Sequence, residues 1–146
     1  MSSEREFDFD VLREPWNKYE LEDGSYIKSK YVLTKFIKTE PDAQGKAKFG
    51  VEGQSLTVVY NAPLSLKGTP SSAKRSSEDI KSSIERELNY KTIQEEWNEY
   101  IIEDGTKIRI KDTIARVSRT KLKDARGDPI YYVEHSTLVQ GTPPKK

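Results

Sequence analysis

The segment that opens Glu4-Arg5-Glu6-Phe7 and runs to Lys30 recurs 81 positions later, from Glu85-Arg86-Glu87-Leu88 to Lys111. Trp16 matches Trp97, Asn17 matches Asn98, Tyr19 matches Tyr100, and Ile27 matches Ile108. The run Glu22-Asp23-Gly24 returns as Glu103-Asp104-Gly105. A chain with one pattern written twice either folds two similar domains in tandem or interleaves two copies into one body. Later strings match as well, Val58-Val59-Tyr60 with Tyr131-Tyr132-Val133 and Gly68-Thr69-Pro70 with Gly141-Thr142-Pro143, but at an offset of 73. On that alignment the first copy carries eight extra residues between Thr39 and Ser55. A length difference at one place marks a surface loop.

The repeat reads mainly as strand. Phe7-Asp8-Phe9-Asp10-Val11 alternates apolar and acidic residues, the pattern of a half-buried strand. The Glu-Asp-Gly runs fit hairpin turns that close through a bulge, with glycine taking positive φ. Long strands follow, Ser25 to Lys38 and Thr106 to Thr120. Ile108 and Ile110 alternate with Lys107, Arg109 and Lys111, but Ile114, Ala115 and Val117 fit no single parity, so a bulge is expected there. Closing strands run from Leu56 to Tyr60 and from Ile130 to Val133, followed by Leu64-Ser65-Leu66 and Leu138-Val139. Ser71 to Ser77 is serine-rich and free of large apolar residues, as a linker is. Beyond it, Ile80, Ile84 and Leu88 recur at helical spacing, with Ser76 or Ser77 able to cap. The expected fold is mostly β: duplicated small barrel or sheet units of about five strands each, with one short linking helix near 77–88. The expected organisation is a first unit over 4–70, a linker and helix start over 71–84, and a second unit over 85–143, the two packed together.

Charged residues are as numerous as hydrophobic ones, each 34%, while aromatics still reach 10%. Disordered chains are starved of aromatics, so this composition describes a folded protein with a thin core. A net charge of +1 gives no global field favouring nucleic acid or membrane. With no cysteine, disulfides and thiolate metal sites are excluded, and a reducing cytoplasm is the expected compartment. No stretch has the length of a spanning helix.

Charge order repeats with the sequence. Glu4 to Asp23 and Glu85 to Asp104 each carry a net −5, while Ser25 to Lys48 carries +4 and Thr106 to Arg126 carries +6. Cross-strand pairs inside each copy account for this most simply. A basic face for phosphates, or a head-to-tail contact between molecules, would use the same order. Glu22-Asp23 and Glu103-Asp104 lack the ligand spacing of a calcium loop and read as turn chemistry. His135 is the only histidine, too few for a histidine metal cluster, and no phosphate loop or nucleophile elbow is present.

These features point away from catalysis, and no cofactor or metal is implied. The expected function is a non-catalytic binding or assembly module that engages a protein partner or itself. Its contact residues would be Trp16, Tyr19, Trp97 and Tyr100, with Lys107, Arg109, Lys111, Arg116 and Arg119 on the basic strand, and Tyr131 and Tyr132 beside it. Those last two tyrosines with the basic strand also suit a second reading, a single-stranded nucleic acid binder with aromatic platforms. A carboxylate-based hydrolase is the third.

Overall fold

The computed structural model describes residues 4–40, 43–45 and 48–144. In chain order the elements are β1 (Glu4–Phe7), β2 (Phe9–Arg13), β3 (Asn17–Leu21), β4 (Tyr26–Thr39) and β5 (Phe49–Tyr60). After a 3₁₀ turn at Leu64–Leu66 come α1 (Ser77–Ser82), β6 (Ile84–Leu88), β7 (Tyr90–Gln94), β8 (Asn98–Ile102), β9 (Lys107–Lys123) and β10 (Pro129–Thr142). The chain is mostly β, in two five-stranded sheets. One follows the order β1-β4-β3-β7 with β5 along the other side of β4, and its counterpart follows β10-β9-β8-β2 with β6 on β9.

The halves exchange strands. β2 leaves the first half to pair with β8, and β7 leaves the second half to pair with β3. Single residues, Asp8 and Asn89, make the crossings. Each is caught by the opposite turn: Glu103 N–H donates to Asp8 O at 2.9 Å, and Glu22 N–H donates to Asn89 O at 3.0 Å. Both hydrophobic clusters therefore draw on both halves. One joins Tyr19, Leu21 and Ile27 to Leu88, Ile114, Val117 and Tyr131. The other joins Tyr31, Leu33 and Phe36 to Tyr100, Ile102, Ile108 and Ile110. The divisions 4–70 and 85–143 are thus stretches of chain without separate cores, which suits a composition too poor in apolar residues to fill two.

Buried carboxamides fasten the exchange. Asn17 donates to Asp112 O at 2.9 Å, and Asn98 donates to Tyr31 O at 2.8 Å. The phase break after Lys111 is a bulge. Ile114 opposes His135 while Arg116 opposes Glu134, leaving Ala115 over, and Thr34 is left over in the same way between Leu33 and Lys35. Each bulge puts two successive residues outside and so returns Phe36 and Val117 to the core. At the turns, Gly24 and Gly105 both take φ +91°, and a Cβ there would also meet Pro63 at 2.9 Å and Pro144 at 3.1 Å.

Three expectations are corrected. The helix spans only Ser77–Ser82, capped by Ser76 and Asp79 in a reciprocal box. Ile84 to Leu88 is instead strand β6 on β9, because ladder pairing with Val117 to Thr120 outweighs three apolar residues at helical spacing. The offset of 73 does not survive either. Lys38 opposes Phe49 and Arg119 opposes Tyr131, so the closing strands are related by 82 positions, and the first half holds no eight-residue insertion. Short string matches carry less information than ladder register. Finally, Leu64–Leu66 is a 3₁₀ turn, and Gly68 lies against the β9–β10 turn, donating to Gly127 O at 2.9 Å.

Candidate functional site

Two corners are built from the Glu-Asp-Gly turns, and they differ. At the first, Asp23 Oδ1 accepts the Ser25 N–H at 2.9 Å, ordinary turn chemistry. Asp23 Oδ2 accepts Tyr131 OH at 2.7 Å and Arg119 Nη1 at 3.3 Å. Ser25 Oγ lies 2.8 Å from the same phenol oxygen, and Arg119 Nε donates to Glu85 at 2.8 Å. Burial disfavours the Asp23 carboxylate, but the Tyr131, Ser25 and Arg119 hydrogen bonds overcome it and hold the group below the ordinary carboxylate range. Tyr131 is 8% exposed, so this corner is closed.

At the second corner Asp104 Oδ1 accepts the Thr106 N–H at 2.9 Å and Oδ2 accepts Lys38 Nζ at 2.9 Å. Burial again opposes ionisation, and Thr106 with Lys38 outweighs it, lowering the carboxyl to about 2. Phe49 holds the ladder position that Tyr131 holds at the closed corner, but it is 43% exposed and brings no hydroxyl. Gly141 stands opposite Ile108 where Val59 stands opposite Ile27, and the Phe49 ring packs over it, 2.9 Å from where a Cβ would lie. Beside it lies an open pocket of about 820 Å³ lined by Phe7, Phe36 and Phe49, with Glu4, Arg5, Lys38, Glu40, Asp104 and Thr106 as its polar lining. Phe36 stacks on Phe49 at 5.7 Å and meets Phe7 edge-on at 6.2 Å. The side chain of Thr106, a residue only 5% exposed, helps hold Asp104 charged, yet its hydroxyl makes no well-formed hydrogen bond. Such a pocket, mostly apolar with a few convergent polar groups, has the size and make-up of a small-molecule site.

No family model, curated protein or solved structure matches this chain. The candidate site therefore stands on geometry alone.

The residues singled out from sequence are not brought to one surface. Tyr19 and Tyr100 are core, and their hydroxyls donate to Glu95 at 2.8 Å and Glu14 at 2.6 Å. Trp16 and Trp97 lie just before β3 and β8 and are half-buried. Each indole is faced by cations of the next long strand: Lys28 at 4.8 Å and Lys30 at 5.7 Å over Trp16, and Arg109 at 4.5 Å and Lys111 at 5.8 Å over Trp97. Arg109 also faces Glu99, Lys111 faces Glu95, and Arg116 faces both Glu87 and Glu134. Lys107 is exposed at the start of β9, Tyr132 is half-buried, and Tyr131 with Arg119 belongs to the closed corner. The charge order thus resolves into pairs, some inside one half as the simplest reading has it, such as Lys35 with Glu6 and Arg116 with Glu87. Many cross the halves, among them Arg5 with Glu103, Arg86 with Glu22, Arg13 with Glu96 and Lys38 with Asp104.

Asp112 and His135 meet where β5 approaches β9 and β10. Asp112 Oδ2 accepts Ser55 Oγ at 2.8 Å and lies 3.2 Å from His135 Nδ1, while Oδ1 accepts Thr137 Oγ1 at 2.9 Å. His135 Nε2 lies 3.3 Å from Thr57 Oγ1. Burial disfavours the Asp112 carboxylate, and His135, Ser55 and Thr137 overcome that and keep it below the usual range. With its oxygens taken up by three neighbours, Asp112 ties β5 to the opposite sheet. Among the described residues no group of three His, Cys, Asp or Glu is placed to hold a metal ion. No described helix is long and apolar enough to cross a membrane.

Sequence reasoning missed Phe7, Phe36, Phe49, Lys38 and Thr106 as a group and took Asp104 for a turn residue alone. The relevant signal, phenylalanine in one copy where the other has tyrosine, was hidden by the offset of 73.

Proposed function

We propose that this chain is a non-catalytic binding module built from a duplicated small β unit, with the open corner at Asp104 as its ligand site. The observation that carries this reading is the difference between the corners. Tyr131 fills one and satisfies Asp23 and Ser25, whereas Phe49 leaves the other with an open pocket and a buried Thr106 hydroxyl. An open, mostly apolar pocket beside a fixed ion pair has the make-up of a small-molecule site. The test is amide chemical-shift mapping of the labelled protein against a panel of small aromatic and aliphatic fragments. Shifts gathered at Phe7, Phe36, Phe49, Asp104 and Thr106 support the reading. Scattered shifts, or none, reject it.

A second reading, assembly or a protein partner, has its own support. β2 and β7 are outer strands, each paired on one side only, and they expose Leu12 (59%) and Ile93 (54%). Unpaired strand edges accept another strand through main-chain hydrogen bonds. Light scattering after size exclusion tests the self-association form. A strict monomer at high concentration ends it.

A further inference from the structure

Three lysines stand outside the pairing of charges, and they stand together. On the outer face of the first sheet, Lys18 of β3 lies directly opposite Lys28 of β4, and Lys30 follows on the same face of β4. Like charges directly opposite each other on a ladder are destabilising. The matching ladder position of the second sheet, 81 residues on, sets Glu99 opposite Arg109 instead, and the two lie 3.8 Å apart. Lys111 there also has its carboxylate, Glu95 at 3.6 Å. Among the described residues no carboxylate forms an ion pair with Lys18, Lys28 or Lys30. Glu20, on the same face of β3, instead accepts Tyr26 OH at 2.9 Å. Trp16 gathers the cations without neutralising them, its indole facing Lys28 at 4.8 Å and Lys30 at 5.7 Å.

Apolar groups border these cations along β5. Lys28 lies opposite Val58, Lys30 opposite Leu56, and Tyr26 opposite Tyr60. Val58 is 40% exposed and Leu56 44%, and the Tyr60 ring stacks on Tyr26 at 5.5 Å. We propose that this face binds single-stranded nucleic acid, with phosphates on Lys18, Lys28 and Lys30 and bases laid against Tyr60, Val58 and Leu56. Uncompensated cations call for a polyanion. An apolar and aromatic border beside them suits a polymer whose charged backbone and unpaired bases run side by side. An acidic peptide would answer the lysines alone, and a duplex keeps the faces of its bases stacked inside. With a net charge of +1 on the whole chain, the attraction is confined to this face. The basic strand of the second half makes no such demand, because Arg109, Lys111, Arg116 and Arg119 each face a carboxylate. None of the residues of this face lines the pocket beside Asp104, so the two sites stand or fall separately.

The experiment follows the fluorescence anisotropy of labelled oligothymidylate and oligouridylate, about 12 nucleotides long, titrated with the whole chain. Saturable binding of either strand is expected, with a Kd of about 100 µM or tighter at about 50 mM salt. Three phosphate contacts on a single strand give a salt slope of about −2, so about 200 mM salt should weaken binding roughly twentyfold. Lys18→Glu recreates the acid–base pair that Glu99 makes with Arg109. It should weaken binding by about tenfold or more and raise the midpoint of thermal unfolding of the free protein. Lys107→Glu makes the same charge change on an exposed lysine of the other sheet and should leave the affinity within about twofold. Tyr60→Ala should weaken binding without changing the salt slope, since it removes a base contact and no phosphate contact. Absence of binding at low salt overturns the proposal. An equal loss in Lys107→Glu overturns it too, because the attraction would then be one of overall charge. Inorganic polyphosphate or polyglutamate competing as well as the oligonucleotides, with Tyr60→Ala unaffected, would make the face a general anion site and overturn the assignment to nucleic acid.

Discussion

Tyr131 gives its phenol proton to the Asp23 carboxylate at 2.7 Å, across 108 residues of chain. That bond joins the end of one hairpin to the turn of another in the opposite half, and it closes the corner at Asp23 while the corner at Asp104 stays open.

Tyr131→Phe removes this donor and also leaves Ser25 Oγ without its partner. The variant should lose about 1–3 kcal/mol, the cost of buried polar groups left unsatisfied. Urea unfolding measures it. A shift of the midpoint too small to resolve would mean that the phenol hydroxyl contributes nothing to closing the corner.

The strand exchange depends on Asn17 and Asn98, whose carboxamides each cap a main-chain carbonyl of the other half. Asn17→Ala or Asn98→Ala should cost about 1–3 kcal/mol, because the Asp112 or Tyr31 carbonyl would remain buried without that donor. Asn98 also donates to Tyr100 OH at 3.0 Å, so its loss should additionally perturb the Tyr100 environment, visible in near-ultraviolet circular dichroism.

Acid should weaken the fold through three carboxylates. Asp23, Asp104 and Asp112 all titrate below the ordinary range in the folded chain, Asp104 at about 2. In the unfolded chain they titrate near about 4. A depressed folded value means that their stabilisation is fully present above the unfolded value and is lost as pH falls through the folded one. Thermal midpoints should therefore hold steady down to about pH 5 and then drop towards about pH 2. The Asp104→Asn variant should show a shallower fall. A wild-type midpoint unchanged over that window would contradict the assignment.

Gly53 opposes Leu33 at the β4 bulge, and a Cβ there would collide with the Tyr31 ring and come within 2.5 Å of Val32 O. Neither can yield freely: one is main chain, and the other belongs to a core tyrosine, 9% exposed. Gly53→Ala should destabilise by about 1–3 kcal/mol, read by denaturant unfolding. Gly50→Ala, in the same strand, meets no atom within 4 Å and serves as the control.

Much of the local structure was legible. Alternation marks Phe9 and Ile108 as strand residues, glycine after Glu-Asp marks both hairpin turns, and broken parity at Ile114 and Val117 marks the bulge. Ser76 capping α1 was legible from serine before acids. The end of that helix was not, because Ile84 and Leu88 suit either a helix stripe or a strand, and only pairing with β9 decides between them. Phe7 and Phe9 carry the alternation of one continuous strand, yet Asp8 divides them between two sheets.

Sequence by itself determined the mostly β character, the turn positions and the acid-then-base charge order, because these follow from neighbours a few residues apart. Tertiary structure alone decided that β2 and β7 change sheets, that many of the charges pair across halves, and that Phe49 and Tyr131 hold matching ladder positions. Those outcomes depend on which ladder each strand joins, and ladder register joins residues dozens of positions apart. That register sets a phenylalanine and a glycine at one corner and a tyrosine and a valine at the matching ladder positions of the other.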